Sequence, residues 1–413
     1  MTKPQFTLIP SAYKVNKVYS VLPVDGSGDM TFSRGGEATR VRKDGLIETV
    51  GSNVPRLDWL NSNCPSLLLE PQRTNLALYS ENFEGTNWTA GNTVVTQNDS
   101  IAPSGEQTSV KLQRTSTSAS YRQHFIYKST SAITYTTSVF VKQGENNFFA
   151  MRAQGSYPSR VDIRFRFDTG LIYYAQAISG FTLIDYNVEN YSNGWYRIYF
   201  TYTSDANSHL SLTFSPRETD GNIDGGDTSS NSFAYVWGVQ TEVGNYLTSY
   251  IKTTSDPVSR SQDICINGGD SDLFDITEGT FFVDVTPFKA SAFHRITLSN
   301  NTTDEEIIFL FYSNNTQVQI ISESSGVGQV SYTTNITFDI QNKLAFTFKK
   351  NEFKFYVNGN LVHTDLSGNI ATGLNSLHFA GNNGGFNYFQ GKVHDTRVYD
   401  RVLTEAEAIK LTT

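Results

Sequence analysis

The chain has 413 residues, with 32 Lys and Arg against 40 Asp and Glu, and a formal net charge of −8. Phosphate neutralisation needs clustered basic residues, so this acidic chain without a basic block is a poor candidate for binding nucleic acid. Aromatic residues make up 13% and Met is scarce, which favours strands over a helical bundle and argues against disorder. Since no apolar stretch approaches the roughly 20 residues of a membrane span, we expect no membrane insertion.

Residues 1–75 are the least regular part of the sequence. Short strand-like runs such as KVYSVLP and MTFSR alternate with Gly-rich turns. A segment of this kind can hardly bury a core by itself. We therefore expect it to pack against a partner or against other copies of the same chain, as an oligomerisation segment.

Residues 76–255 show a strong alternation of apolar and polar residues. From Val161 to Asp168 the odd-numbered residues are apolar and the even-numbered ones are charged, the pattern of a half-buried strand. Strand-sized runs recur between turn signals such as Asn193-Gly194, which predicts an antiparallel β-sandwich. Residues 256–263 are polar, contain a proline and lack periodicity, so they are predicted to be a linker.

Strand patterns resume at residue 264 and continue almost to the C-terminus. Asn358-Gly359 follows an alternating run and fits a tight hairpin turn. Thr404 and Glu407 have the spacing of a capping box, which predicts a short C-terminal helix. The predicted fold class is therefore all-β, with a second antiparallel sandwich at 264–413 that is closed by this helix.

Three blocks of sequence, taken in order, resemble bacteriophage fibre and spike proteins. Phe32–Phe83 is similar to the leading segment of phage tail or head fibres. YTTSVFVKQGE (135–145), NGWYRIYFTYT (193–203) and the run from Tyr235 to Asp263 resemble the carbohydrate-binding-module-like jelly roll of those proteins. LAFTFKKNEFKFYVNGNLVHTD (344–365) and GKVHDTRVYDRVLTEAEAIKL (391–411) resemble a laminin-G/concanavalin-A-like lectin domain.

The resemblance implies a virion-mounted fibre or spike, made in the bacterial host cytoplasm, that binds host-surface polysaccharide as a homotrimer. Residues 1–75 would attach it to other virion proteins or to its trimer mates. The two jelly-roll sandwiches, 76–255 and 264–413, would then contact the glycan. A polysaccharide-degrading tail enzyme and a purely structural virion decoration protein are the alternatives.

The first candidate glycan-binding residues lie on two strands of the middle sandwich. Core packing is the simpler role for its tryptophans, but Trp195, Arg197 and Tyr199 share one face of a strand that would form an aromatic platform if exposed. Arg164 and Arg166, in the charged row from residue 162 to 168, could grip an acidic sugar through paired hydrogen bonds. The alternative for this row is an outer sheet face on which charges pair weakly with their neighbours.

A second group of candidates lies in the loop from residue 381 to 391. Asn382 and Asn383 provide amides beside the aromatic rings of Phe386 and Tyr388. Amides next to rings suit a neutral sugar, and lectins recognise ligands on such loops. A surface loop without a ligand is the competing interpretation.

The sequence lacks the patterns of the common hydrolases. It contains no E-x-D-x-E run, G-x-S-x-G elbow or H-E-x-x-H helix, so we expect a non-enzymatic protein. Asp- and Asn-rich turns at 25–29, 219–227 and 267–272 could supply oxygen ligands for calcium. Such turns also form without a metal. No cofactor is therefore assigned, and a structural calcium ion is left open.

Overall fold

The computed structural model describes residues 3–220, 223–381 and 384–413. Within these ranges nearly all regular structure is antiparallel β-sheet, which confirms the predicted all-β class. The chain divides into two compact units. The middle unit comprises residues 38–49 and 73–260, and the terminal unit comprises residues up to Glu37, residues 50–72 and residues 261–413.

The strands are numbered along the chain. The N-terminal strands are β1 (Phe6–Leu8), β2 (Tyr13–Lys14), β3 (Lys17–Val18), β4 (Met30–Ser33), β5 (Ala38–Val41), β6 (Ile47–Val50), β7 (Leu57–Asp58), β8 (Ser66–Leu69) and β9 (Arg73–Asn75). They are followed by β10 (Trp88–Gly91), β11 (Thr93–Ser100), β12 (Ser109–Arg114), β13 (Tyr121–Tyr127), β14 (Thr134–Gln143), β15 (Phe148–Gln154), β16 (Arg160–Arg166), β17 (Leu171–Ile178), β18 (Thr182–Asn190), β19 (Trp195–Thr203), β20 (His209–Arg217), β21 (Phe233–Val243) and β22 (Val258–Arg260).

The C-terminal part carries the remaining strands and two short helices. These are β23 (Ile264–Ile266), α1 (Ser271–Phe274), β24 (Glu278–Pro287), β25 (His294–Ser299), β26 (Glu306–Phe311), β27 (Gln317–Ser324), β28 (Val327–Asn335), β29 (Asn342–Lys349), β30 (Glu352–Val357), β31 (Asn360–Asp365), β32 (Ser376–His378), β33 (Gly391–Tyr399) and α2 (Glu405–Thr412). In the part of the chain that the structure describes, no helix has the length and apolar character that crossing a bilayer requires.

The middle unit is a sandwich of two six-stranded antiparallel sheets. The first sheet has the order β10-β13-β20-β15-β16-β17, and the second has the order β11-β12-β21-β14-β19-β18. Apolar side chains from alternate positions fill the core between them, including Val161, Ile163 and Phe165 of β16. The alternation that predicted this strand is therefore confirmed, and it leaves the charged row on the outward face of the first sheet.

The terminal unit contains the second predicted sandwich. Its larger sheet has the order β31-β30-β29-β24-β33-β8-β7, with β1 also paired to β33, and its smaller sheet has the order β28-β27-β26-β25-β32. The helix α2 begins as predicted, because the Thr404 hydroxyl accepts from the Glu407 N–H while the Glu407 carboxylate accepts from the Thr404 N–H. It packs on Phe282, Tyr356 and Tyr399.

The N-terminal residues do not form a separate segment, which corrects the predicted boundary at residue 75. β1 and β8 pair with β33, and β4 pairs with β23. Phe6, Leu8, Leu67 and Leu69 join the core of the terminal unit. These strands bury their apolar side chains against the C-terminal strands of the same chain, so the partner that the sequence called for is intramolecular.

The predicted linker at 256–263 is also incorporated into folded structure. β22 pairs with β9 in the middle unit, and Asp263 is buried in the terminal unit. The Asp263 carboxylate accepts from Arg34 Nη1 at 3.1 Å, from Arg56 Nη2 and from the Glu70 N–H at 2.9 Å. Arg56 also donates to Glu70 Oε2 at 2.6 Å. We call these four residues the buried ion network.

Two carboxylates face each other on the smaller sheet of the terminal unit. Glu306 of β26 is directly opposite Glu323 of β27, and Glu306 is only 3% exposed. Burial, reinforced by the negative charge of Glu323, raises the pKa of Glu306 to about 7. In the unfolded chain its pKa is about 4.3. Glu306 therefore favours folding most below about pH 4, and this contribution is lost as the pH rises towards 7.

We expect the Glu306→Gln variant to lose this pH dependence. At pH 5 its melting temperature should lie close to that of the wild type, and at pH 8 it should be higher, because glutamine avoids a buried negative charge. Calorimetry of both proteins at the two pH values measures the difference. Glu37→Gln, which removes an exposed acid, is the control. An equal difference at both pH values would contradict the assignment.

Candidate functional site

The outward face of the second sheet is covered by other parts of the middle unit. Trp195 and Arg197 are each only 1% exposed. The Trp195 indole N–H donates to the Ile101 carbonyl at 3.0 Å, and Arg197 Nη1 donates to the Thr248 carbonyl at 2.8 Å. The chain around residues 101 and 248 thus lies across the strands, and the predicted platform of Trp195, Arg197 and Tyr199 is wrong. Tyr199 is half-buried on the same strand.

An aromatic cluster explains why this face is closed. Phe140 packs edge-on against Trp237 at 5.3 Å between ring centroids, and Trp237 contacts Tyr250 at 4.6 Å. The Arg197 guanidinium lies 5.0 Å from the Phe140 ring centroid. These rings form a second apolar layer outside the sandwich. The structural role expected for the tryptophans is therefore confirmed for Trp195 and Trp237.

The outward face of the first sheet carries aromatic and charged side chains that, apart from the buried Arg152, are partly accessible. We call it the arginine–tyrosine face, and it comprises Tyr121, Gln123 and Phe125 of β13, Phe148 and Arg152 of β15, Arg160, Arg164 and Arg166 of β16, and Tyr174 of β17. The intervening residues on these strands, such as Ile126, Phe149 and Ile163, point into the core.

Tyr121 and Gln123 form one side of the face. The ring of Tyr121 lies directly over Gly91 of the neighbouring strand, where a Cβ atom would come within 2.5 Å of the ring. Any larger residue at this position would push the ring out of its place. The Gln123 amide donates to the hydroxyls of Ser211 and Thr213 on the central strand β20. This side therefore offers a fixed aromatic ring and an anchored amide.

Arg152 lies in the centre of the face between two carboxylates. It donates from Nε and Nη2 to Asp162, and from Nη1 and Nη2 to Asp224 at 2.7 and 2.8 Å. Burial disfavours the charge of Arg152, but these carboxylates outweigh it and hold its pKa above the ordinary value. Arg152 in turn lowers the pKa of Asp224. Arg152 is thus charged, and its guanidinium is held by two carboxylates.

Arg164 and Arg166 lie on the other side of the face, as predicted for the charged row. The Arg164 guanidinium lies 4.1 Å from the Tyr174 ring centroid, and Arg164 Nη1 is 3.4 Å from Asp220 Oδ1. Arg166 donates to both carboxylate oxygens of Asp168 at 3.0 and 2.6 Å. The pairing of these arginines with neighbouring carboxylates is confirmed. A contact of either arginine with a glycan stays a prediction.

Arg164 has hydrogen-bonding capacity left over. Its Nε–H is buried and, within the described residues, has no hydrogen-bond partner. Asp220 is shared with the Tyr173 hydroxyl, which donates to it at 2.6 Å. A buried donor without an acceptor is costly. Arg164, whose side chain is partly exposed, therefore has guanidinium donors that its one long contact with Asp220 does not fully satisfy.

The sequence did not single out Arg152, Tyr174, Asp220 or Asp224 as parts of one site. Arg152 is the one charged residue in the apolar run of β15, which was the available signal. Asp220 and Asp224 come from a turn far along the chain from β15 and β16. The sequence alone does not show which strand that turn reaches.

Two of the four loop candidates of the terminal unit, Phe386 and Tyr388, lie within the described residues. Asn382 and Asn383 lie outside the described residues. Phe386 is 39% exposed, and the Arg295 guanidinium lies 5.4 Å from its ring centroid. Tyr388 is half-buried, and its backbone forms an isolated β-bridge with that of Arg295. The loop thus combines Phe386 with a cation on β25.

The Asp-rich turns weighed for calcium use their carboxylates within the protein. Asp25 accepts from the Ser27 N–H and hydroxyl at 3.0 and 2.7 Å. Asp227 accepts from the Glu218 N–H at 2.8 Å, and Asp270 caps α1. Throughout residues 3–220, 223–381 and 384–413, no group of three or more His, Cys, Asp or Glu side chains is placed to hold a metal ion.

Comparison with known families identifies the type of fold of the second sandwich. Residues 261–408 match the family model described as the concanavalin A-like lectin/glucanases superfamily. The C-terminal part of the chain therefore has a concanavalin-A-like jelly-roll fold, as the resemblance implied. No curated protein matches the chain.

Several solved carbohydrate-binding structures are weakly similar to the chain. The sialidase module CBM40 of Ruminococcus gnavus, bound to α2,3-sialyllactose, is 18% identical, and the match covers 36% of this chain and 94% of that one with a TM-score of 0.30. Domain 4 of the arabinanase AbnA of Geobacillus stearothermophilus, in complex with arabinotriose, is 18% identical over 41% of this chain and 82% of that one, with a TM-score of 0.31. The module CBM66 of Bacillus subtilis is 14% identical over 30% and 74%, with a TM-score of 0.23.

Proposed function

We propose that the protein binds glycans, without cleaving them, through the arginine–tyrosine face of the middle unit. The observation that carries this is Arg164, whose guanidinium is stacked on Tyr174 while its buried Nε–H lacks an acceptor within the described residues. Sugar sites combine rings that cover the apolar face of a pyranose with fixed hydrogen-bonding groups. Tyr121, Gln123, Arg164 and Tyr174 provide both kinds of group on one sheet.

The electrostatics of the face favour binding over catalysis. A glycosidase needs one carboxylic acid whose pKa is raised so that it can donate a proton. On this face the opposite holds for Asp168 and Asp224, because Arg166 and Arg152 lower their pKa values. These carboxylates remain ionised and serve as partners of arginines.

We place this binding on a bacteriophage fibre or spike that adsorbs to host-surface polysaccharide. The ordered three-block resemblance supports this placement, and the match at 261–408 supports the lectin-like fold of its third block. A homotrimer would present three faces to one surface, which strengthens weak single-site binding. The strands β1 to β4, β7 and β8 belong to the sheets of the terminal unit, so the proposal assigns attachment to other virion proteins to that unit.

Substitution of the stacked tyrosine tests the proposal. We expect Tyr174→Ala to weaken binding to any glycan identified on a bacterial glycan array by about tenfold, because stacking area and the support of Arg164 are both lost. Titration calorimetry with that glycan measures the change.

Tyr186→Ala is the matched control, because Tyr186 is an exposed tyrosine on β18 of the second sheet. If both variants weaken glycan binding equally, or if neither weakens it, the site lies elsewhere. Release of reducing ends from the glycan would favour the tail-enzyme alternative. Absence of binding to every glycan tested would favour a purely structural virion protein.

A further inference from the structure

We infer that the glycan bound at this face is anionic. Its carboxylates take over the positions on Arg164 and Arg152 that Asp220 and Asp224 now occupy. This inference rests on the proposed function and specifies its ligand class as a carboxylated sugar. It also assigns the two aspartates a role as intramolecular competitors of the ligand.

The carboxylates that contact the arginines of the face fall into two kinds. Asp162 lies on the sheet beside Arg152 and its side chain is only 8% exposed. Asp220 and Asp224 come from the turn after β20, and their side chains are 58% and 55% exposed. Because more than half of each of these two side chains already faces water, either carboxylate can turn into solvent when another carboxylate takes its place beside the arginine. Asp162 is therefore a fixed partner, whereas Asp220 and Asp224 can be displaced at low cost.

Asp224 shows how a carboxylate is held at this face. Both of its oxygens accept from Arg152, at 2.7 and 2.8 Å, in the parallel two-bond geometry of a guanidinium and a carboxylate. A sugar carboxylate has the same shape and charge as the Asp224 side chain. Arg152 can therefore bind a sugar carboxylate in place of Asp224 without moving, because Asp162 keeps its guanidinium fixed.

Arg164 has the greater need for such a ligand. Its contact with Asp220 is 3.4 Å long, and its Nε–H is buried without a partner in the described ranges. A hydroxyl of a neutral sugar can accept one bond from the guanidinium, whereas a carboxylate can accept two in its plane. The Tyr174 ring, whose centroid lies 4.1 Å from the Arg164 guanidinium carbon, supports the guanidinium from one side. The geometry thus selects a carboxylate over a hydroxyl.

The test uses the full chain with matched charged and neutral probes. The charged probes are oligogalacturonate and alginate oligomers, and the neutral probes are the same oligomers after carboxyl reduction. We expect at least one charged probe to bind about tenfold or more tightly than its reduced form, in line with one charge-assisted pair. Arg164→Gln should abolish this preference. Arg164→Lys, which keeps the charge without the planar fork, should lose most of it.

The competitor role predicts an effect of the opposite sign. Asp220→Asn should tighten binding of the charged probe about threefold and leave the reduced probe unchanged, because Arg164 is then free of a competing carboxylate. Asp44→Asn is the control, since it removes an exposed partner of Arg42 in the turn between β5 and β6. Circular dichroism confirms that each variant is folded.

The possible outcomes separate this inference from the proposed function. Equal affinity for charged and reduced probes, with Tyr174→Ala still weakening both, overturns the anionic ligand and leaves glycan binding intact. If Asp220→Asn binds the charged probe more weakly than the wild type does, the competitor role is overturned. Absence of binding to the charged probes, the reduced probes and a glycan array overturns both the inference and the proposed function.

Discussion

Replacing Asp263 with alanine is expected to destabilise the terminal unit by about 3–5 kcal/mol. Arg34 and Arg56 would each lose a carboxylate that is fully buried beside them, and the Glu70 N–H would lose its acceptor. The charges are too deep for water to replace the carboxylate. Chemical denaturation, followed by the fluorescence or circular dichroism of the unfolding transition, measures the loss.

Asp256→Ala provides the matched control for this substitution. Asp256 lies in the same short stretch that the sequence identified as a linker, but it is exposed. It should change the free energy of unfolding by no more than about 0.5 kcal/mol. A similar small effect of Asp263→Ala would mean that the buried ion network does not hold the N-terminal segments in place.

The second large effect is expected when the C-terminal sandwich is separated from the N-terminal strands. A fragment of residues 264–413 lacks β1, β4 and β8, so one edge of β33 loses its partners and the core loses Phe6, Leu67 and Leu69. We expect this fragment to show no cooperative unfolding transition, because an open apolar edge and an incomplete core favour aggregation. Calorimetry of the purified fragment is the measurement.

Co-expression with residues 1–72 should restore the transition, because these residues supply the missing strands. A fragment of 264–413 that unfolds cooperatively by itself, near the melting temperature of the full chain, would show that the N-terminal strands are dispensable. It would then support the simpler division in which the first 75 residues stand apart.

Features determined by neighbouring residues could be predicted from the sequence. The alternation from Val161 to Asp168 identified a half-buried strand and its charged outward face. The Thr404–Glu407 spacing identified the capped helix. Asn358 and Gly359 both adopt positive φ, 47° and 80°, as the tight hairpin turn between β30 and β31 requires. Each of these depends on contacts within a few residues.

Features determined by distant pairing could not be predicted in this way. β8 is a plain apolar run, and nothing in its pattern indicates that Leu69 pairs with Gly391. Trp195 and Arg197 alternate correctly for an exposed face, but segments from elsewhere in the chain cover that face. The same limitation explains why the site was only partly predicted. Arg164 was identified from the pattern of its strand, whereas the contact of the acidic turn with Arg164 is visible only in the folded structure.

Glycan binding at the arginine–tyrosine face is the central property proposed for this protein. Titration of the wild type, Arg164→Gln, Tyr174→Ala and Tyr186→Ala with one carboxylated oligosaccharide tests this in a single series. We predict that the wild type and Tyr186→Ala bind equally, and that Arg164→Gln and Tyr174→Ala each bind about tenfold more weakly. Identical affinities for all four proteins would contradict the account.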